Sequence, residues 1–363
     1  MKRLLVLEDG TTFVGEAFGS EQEKIGEVVF TTGMTGYQEA LSNPANCGVM
    51  VVMTYPVVGS YGINRDDFEA IQPCLFGVIV KEFNQNPSNF RSDENIGAFL
   101  TANNIPGISG IDTRKLTRHI RTNGSMRGIL SRAGETDKEA LLDKLLSEPP
   151  LSNQVEMVST AKPYIVPGRG KRVVLIDYGV KHGILRELTK RDCHITVVPY
   201  NYSAESIWRL QPDGILLSNG PGNPKDVEGA QETIQTLMNK VPMFGIGLGH
   251  QLFALASGAD TEKMLFGHHG GNQPVYDTDT NRAYITSQNH SYVVKRESIV
   301  HTDLEVTQYA LNDKTIEGLR HQQYPALSVQ YYPEGAPGPD ETTFLFDRFM
   351  ELMNASKTVK EEV

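Results

Sequence analysis

The run Met243-Phe244-Gly245-Ile246-Gly247-Leu248-Gly249-His250-Gln251-Leu252-Phe253-Ala254-Leu255-Ala256 is the most informative in the chain. Met243–Ile246 is apolar and free of charge, as in a strand buried on both faces of a sheet. Glycines then alternate through a sharp bend, and an apolar stretch reads as a helix from about His250 to Ser257. A strand, a glycine-rich turn and a helix in direct succession have the form of a nucleophile elbow, in which a strained backbone pushes one residue toward a ligand. N–H groups at the start of such a helix stabilise an oxyanion. The plainer alternative is ordinary strand-to-helix packing, with the glycines permitting close contact.

The surrounding sequence repeats the alternation. Val173–Asp177, Ile195–Pro199 and Gly214–Ser218 read as buried strands. Gly183–Lys190 and about Val227–Lys240 read as helices. Apolar strands alternating with helices predict a mostly parallel sheet with helices on both faces. Ala283–Ser287, Tyr292–Val294 and Leu327–Tyr331 add strands, and Glu341–Asn354 makes a closing helix. Ligands of such sheets bind beyond the carboxyl ends of the strands. A second glycine turn, Leu217-Ser218-Asn219-Gly220-Pro221-Gly222-Asn223-Pro224, falls at one of these ends.

The N-terminal part reads as mixed, an α+β or β-rich small domain whose pattern alone names no fold. Leu4–Leu7, Val28–Thr31, Val49–Thr54 and Leu75–Val80 are short β-rich runs. Helical patterning marks Tyr37–Leu41, residues 93–102 and Arg114–Arg121. Thr136 and Glu139 suggest a capping box for a helix from Thr136 to Ser147, with Leu141, Leu142, Leu145 and Leu146 as its apolar stripe. Pro149, Pro150, Pro163, Pro167, Gly168 and Gly170 then interrupt all pattern. The resulting division is a domain over 1–150, a linker over 151–170, a second domain over 171–356 and a charged tail over 357–363.

Composition narrows the function. The chain has 363 residues, with 34 Lys+Arg against 44 Asp+Glu and a net charge of −10. Without a basic block it is no nucleic-acid binder. No apolar run reaches the ~18 residues of a membrane span, and no signal peptide precedes the first strand. Cys47, Cys74 and Cys193 form no CxxC and no disulfide framework, which fits a reducing cytoplasm. The glycine turns lack the acidic partner of a dinucleotide site. His268 and His269 lack further ligands at metal-binding spacing, so no metal is expected.

Gly245-Ile246-x-Leu248-Gly249-His250-Gln251 resembles the elbow of class I (triad) glutamine amidotransferases, which carry Cys at x. That family pairs the Cys with His and Glu in a Q-x-H-P-E stretch, matched here by Gln330-Tyr331-Tyr332-Pro333-Glu334. Three further blocks are Thr31–Glu39 (TTGMTGYQE), Gly110–Arg118 (GIDTRKLTR) and Phe266–Asn272 (FGHHGGN). With them the chain, from about residue 3 to residue 353, resembles the small (glutaminase) subunit of carbamoyl phosphate synthetase. The resemblance implies an α/β fold, with a C-terminal class I glutamine amidotransferase domain and an N-terminal α+β small-subunit domain. It also implies glutamine as substrate and a large subunit as partner. The small subunit hydrolyses glutamine. The large one makes carbamoyl phosphate from the ammonia, with bicarbonate and ATP, for arginine and pyrimidine synthesis. Cofactors and metal then belong to the large subunit only, and none to this chain.

The sequence departs from that pattern where the chemistry should be. Gly247 stands at the nucleophile position and Tyr332 at the base position. Glycine has no side chain with which to form an acyl-enzyme. A phenol, with a reference pKa of about 10, is a poor base at neutral pH. Glu334, which orients the His in the family, is retained. Expected substrate-binding positions are Ala45 (in place of Ser), Gly220, Gly222, Leu248, Gln251, Asn289, Ser291 (in place of Gly) and Tyr292. Asn223 and Gln273 replace the usual Asp and His nearby. The expectation is a small subunit whose glutaminase activity is lost or severely reduced, leaving a scaffold or regulatory role. Two alternatives are an active-family subunit carrying engineered or erroneous inactivating substitutions, and a non-catalytic glutamine-binding module.

Overall fold

The computed structural model describes the backbone of residues 1–361 and the side chains of residues 1–356. The side chains of the expected tail, 357–363, lie outside the described residues. The chain divides into two compact units. One is Met1–Ser152 with the short segment Leu265–Gly270, and the other is Asn153–Met264 with the chain from Gly271 onward.

The first unit is built on a closed barrel of seven strands. Around the barrel their order is Lys2–Leu7, Thr12–Gly19, Pro106–Ser109, Gly77–Ile79, Val49–Met53, Lys24–Thr31 and Met126–Leu130. Closure leaves no unpaired strand edge. The run Leu4–Leu7 is apolar at every position because both its faces are covered. Leu5 and Leu7 join the core with Val28, Met50 and Ile108, while Leu4 and Val6 pack with Ile129 and the helix residues Leu141 and Leu145. Beside them Arg3 is fully buried. Its guanidinium donates to the carbonyls of Ser131 (2.9 Å), Gly107 (2.9 Å) and Ser20 (2.8 Å), which ties three separate segments together. Burial pulls its pKa down to about 10.

The helix expected from Thr136 spans Lys138–Ser147, and its cap is Asp137, whose carboxylate accepts from the Ala140 N–H. Thr136 therefore lies outside the helix, and the Thr136/Glu139 box is not formed. Only half of the leucine stripe is buried. Leu141 and Leu145, four residues apart, face inward, while Leu146 is exposed.

The second unit is a ten-stranded sheet. Its parallel centre runs His194–Pro199, Arg172–Asp177, Gly214–Leu217, Met243–Ile246 and Ala326–Val329. Ile316–His321 and Leu304–Ala310 extend it with antiparallel pairings. Two expectations are corrected here. The stretch 151–170 is no bare linker. It holds a helix, Gln154–Val158, and an edge strand, Tyr164–Val166, antiparallel to His194–Pro199. The separate strands expected at 283–287 and 292–294 are one strand, Arg282–Val294. The closing helix is Phe344–Glu361, starting after a turn in which Thr343 N–H bonds to the Asp340 carbonyl at 3.1 Å.

Four parallel strands end side by side, and each hands its chain to a residue of interest. Lys181 follows Arg172–Asp177, Asn219 follows Gly214–Leu217, Gly247 follows Met243–Ile246, and Tyr332 and Glu334 follow Ala326–Val329.

Candidate active site

Gly247 is the bend itself. It sits between strand Met243–Ile246 and helix Leu248–Ala256 with φ 59° and ψ −112°, a conformation that a Cβ disfavours. Its N–H donates to the Val329 carbonyl at 2.9 Å, and the Gly249 N–H donates to the Ser218 carbonyl at 2.9 Å. The turn is thereby pinned to the chain leaving the strand on either side. Gly249 is required for another reason. A Cβ there would lie 2.2 Å from the Leu217 carbonyl oxygen, so only glycine lets the helix start this close to the sheet. Leu248, the expected oxyanion donor, is buried between the two glycines.

A Cβ placed on Gly247 would lie 3.2 Å from the Asn219 Cβ and 3.7 Å from Cε1 of Tyr332. The two expected catalytic positions are therefore neighbours. Tyr332 is buried. Its N–H donates to the Ser287 carbonyl (2.9 Å), and its hydroxyl makes a long bond to the Asn289 carbonyl (3.4 Å). Asn219 is fully buried, and its Oδ1 accepts the Lys181 N–H at 3.1 Å.

Lys181 was not singled out by the sequence. Its ammonium is wholly buried, 2.6 Å from the Glu334 carboxylate, and lies 4.1 Å from the centre of the Tyr332 ring. It also donates to the Ala336 carbonyl. Glu334 is thus not idle beside Tyr332. It neutralises a lysine whose charge would otherwise be buried alone. A lone Lys ahead of a helix gives no sequence signal of burial. Only the convergence of two strand ends creates its environment.

The remaining expected residues, Ala45 apart, belong to the second unit. Gln251, buried, donates through Nε2 to the Tyr292 carbonyl (2.7 Å) and to Gln330 Oε1 (3.0 Å), so its amide braces the site from behind. Asn289, Ser291 and Tyr292 follow one another along the strand Arg282–Val294 and are half-buried. Gly220 packs where a Cβ would strike the Tyr178 carbonyl at 2.3 Å and the Leu248 side chain at 2.8 Å. Gly222, with φ 83°, lies against the Gln154 side chain. Ala45 belongs to the first unit, in the short 3-10 turn Pro44–Asn46, where its N–H is held by Asn43 Oδ1 at 3.0 Å.

His250 and His290 are occupied structurally. His250 is fully buried, with Nδ1 2.9 Å from the Ser328 hydroxyl, and burial pushes its pKa down to about 3. His290 is held at both nitrogens, by the Tyr292 carbonyl and Gln288 Oε1, each at 3.0 Å. Cys193 lies buried with Sγ 3.5 Å from Met350 Sδ, and burial pushes its pKa up to about 11. At the elbow itself, among the described residues, no thiol or hydroxyl occupies the bend.

The elbow at the carboxyl edge of the parallel sheet, with the 330–334 segment folded beside it, is the site of a domain that matches the class I glutamine amidotransferases. The family model for glutamine amidotransferase class-I matches residues 174–352, and that for the carbamoyl-phosphate synthase small chain, CPSase domain, matches residues 5–130. The chain is 60% identical over 356 residues to the carbamoyl phosphate synthase small chain of Oceanobacillus iheyensis, covering 98% of this chain and 97% of that one. It is 58% identical over 357 residues to the carbamoyl phosphate synthase pyrimidine-specific small chain of Halalkalibacterium halodurans, covering 98% of each. With the small chain of Listeria innocua the identity is 57% over 361 residues, covering 99% of this chain and 98% of that one. The chain belongs to the carbamoyl phosphate synthase small chain family.

Two stability measurements check this geometry. Glu334→Gln should destabilise the chain by about 3–5 kcal/mol in denaturant unfolding, because it strands the Lys181 charge. A change below 1 kcal/mol would mean that the pair is not buried as described. The His250 case concerns pH. Its folded pKa is depressed to about 3, so below about 6.5 the unfolded chain binds a proton that the folded one does not. Stability should therefore fall as pH drops from about 6.5 toward 3, and His250→Gln should reduce that slope by up to about 1.4 kcal/mol per pH unit. Identical slopes for the two proteins would contradict a buried neutral imidazole.

Proposed function

We propose that this chain is a carbamoyl phosphate synthase small subunit that no longer hydrolyses glutamine by the covalent route and serves as a scaffold or regulatory partner of a large synthetase subunit. The observation that carries the reading is the bare bend at Gly247, with Tyr332 as its neighbour. Thiolate attack on the glutamine amide needs a sulfur at the bend and a base within hydrogen-bond reach to move protons. Glycine supplies no nucleophile. The Tyr332 hydroxyl is directed to the Asn289 carbonyl, and Glu334 is engaged by Lys181 rather than by an imidazole.

Backbone elements that bind and polarise an amide do not depend on the missing side chains. The Leu248 N–H, Gly220 and Gly222 would still present a weakened glutamine site. In this reading the large subunit draws on free ammonia, and the small subunit holds it in a competent or regulated state. No resident cofactor or metal is assigned to this chain, and ATP and bicarbonate are used by the partner. No helix among the described residues is long and apolar enough to cross a membrane, in keeping with a cytoplasmic synthetase.

The test pairs the purified chain with a cognate large subunit and follows glutamate release from glutamine beside ammonia-dependent carbamoyl phosphate formation. Glutamate release should be lower than that of a Cys-bearing relative by a factor on the order of 10⁶, while the ammonia-dependent reaction proceeds. Turnover near that of the relative would refute the loss of hydrolysis. Failure of the two chains to co-purify would refute the partnership.

A further inference from the structure

Two of the three cysteines, 27 positions apart in sequence, meet in the first unit. The strands Val49–Met53 and Gly77–Ile79 are parallel, with Met50 opposite Gly77 and Val51 opposite Val78. Carried three residues back along both chains, this register sets Cys47 opposite Cys74. The Gly48 N–H donates to the Cys74 carbonyl at 3.2 Å, and the Phe76 N–H donates to the Val49 carbonyl at 2.8 Å, so the pairing does continue past the strand ends. The Cys74 Sγ lies 3.8 Å from the Pro44 carbonyl oxygen, which also accepts the Cys47 N–H at 3.0 Å, so one carbonyl touches both residues. Neighbouring strands stand about 4.8 Å apart, inside the roughly 4.4–6.8 Å range of Cα separations that a disulfide spans. Cys47 is buried and Cys74 half-buried.

We propose that Cys47 and Cys74 form a reversible intrachain disulfide, a redox clasp on the turn Pro44–Asn46 that carries Ala45. Cys47 caps this turn, its N–H donating to the Pro44 carbonyl at 3.0 Å, so a bond from Cys47 to Cys74 fixes the turn to the chain entering Gly77–Ile79. With a peroxide as oxidant, the two S–H bonds break and one S–S bond forms. Two electrons and two protons pass to the peroxide, which leaves as two waters. A small dithiol restores both thiols by exchange. The Cys47 thiol and burial both push the Cys74 pKa upward, so little thiolate is present at neutral pH and oxidation by peroxide is slow. Cys193 stands apart, against Met350. The proposal does not depend on the reading of the elbow.

The experiment treats the full chain with hydrogen peroxide, alkylates remaining thiols under unfolding conditions, and maps the unreduced digest by mass spectrometry. The expected result is one linked peptide joining Cys47 to Cys74, with Cys193 alone alkylated, and both thiols recovered after dithiothreitol. Cys193→Ala should keep the link, and Cys47→Ala and Cys74→Ala should each lose it. The oxidised chain should melt at a higher temperature than the reduced one, with the shift reversed by dithiothreitol. Three alkylated cysteines after treatment, a link through Cys193 or between two chains, or a sulfinic acid at Cys74 without a link would each overturn the proposal.

Discussion

The left-handed bend at Gly247 is the constraint on which the site depends. With φ near +59° the chain reverses from strand into helix within one residue, and the Gly247 and Gly249 N–H groups tie it to the Val329 and Ser218 carbonyls. A side chain here is held in strain of about 1–3 kcal/mol, which families that need a nucleophile tolerate for its exposure. Glycine adopts the same backbone freely. The architecture of an elbow therefore does not require a side chain at the bend.

The surroundings of the bend are similarly self-consistent. Tyr332 is held by the Ser287 and Asn289 carbonyls, and the Lys181 ammonium lies against its ring. The Lys181–Glu334 pair balances its charge without an imidazole. Gln251 is bonded to the Tyr292 carbonyl and to Gln330, not held out toward the bend. Each group that would serve a covalent reaction has a structural bond of its own. Such bonds matter because a buried polar group left unpaired costs stability whether or not it is used in a reaction.

How much of this was legible in the sequence follows from where the information lies. The parallel strands were readable because each is a local apolar run between breakers, and Met243–Ile246 was placed to the residue. The barrel was not, because closure rests on pairings such as Lys2–Leu7 with Met126–Leu130, more than a hundred positions apart. The 151–170 stretch hid a helix and an edge strand behind its prolines and glycines. The cap of Lys138–Ser147 moved by one residue because Thr136 and Asp137 are both good caps and only packing chooses between them. Gly247, Tyr332 and Glu334 stood out only through the resemblance to the elbow and Q-x-H-P-E stretch of the family. Lys181 did not, since its burial is made by Glu334, 153 positions away.

The central claim is that no covalent glutamyl intermediate forms at the bend. The most direct measurement is intact-protein and peptide mass spectrometry after exposure to an electrophilic glutamine analogue, with free glutamine as competitor. The account predicts no glutamine-protected adduct anywhere in the second unit. An adduct in peptides around Gly247 or Tyr332 that free glutamine suppresses would contradict it.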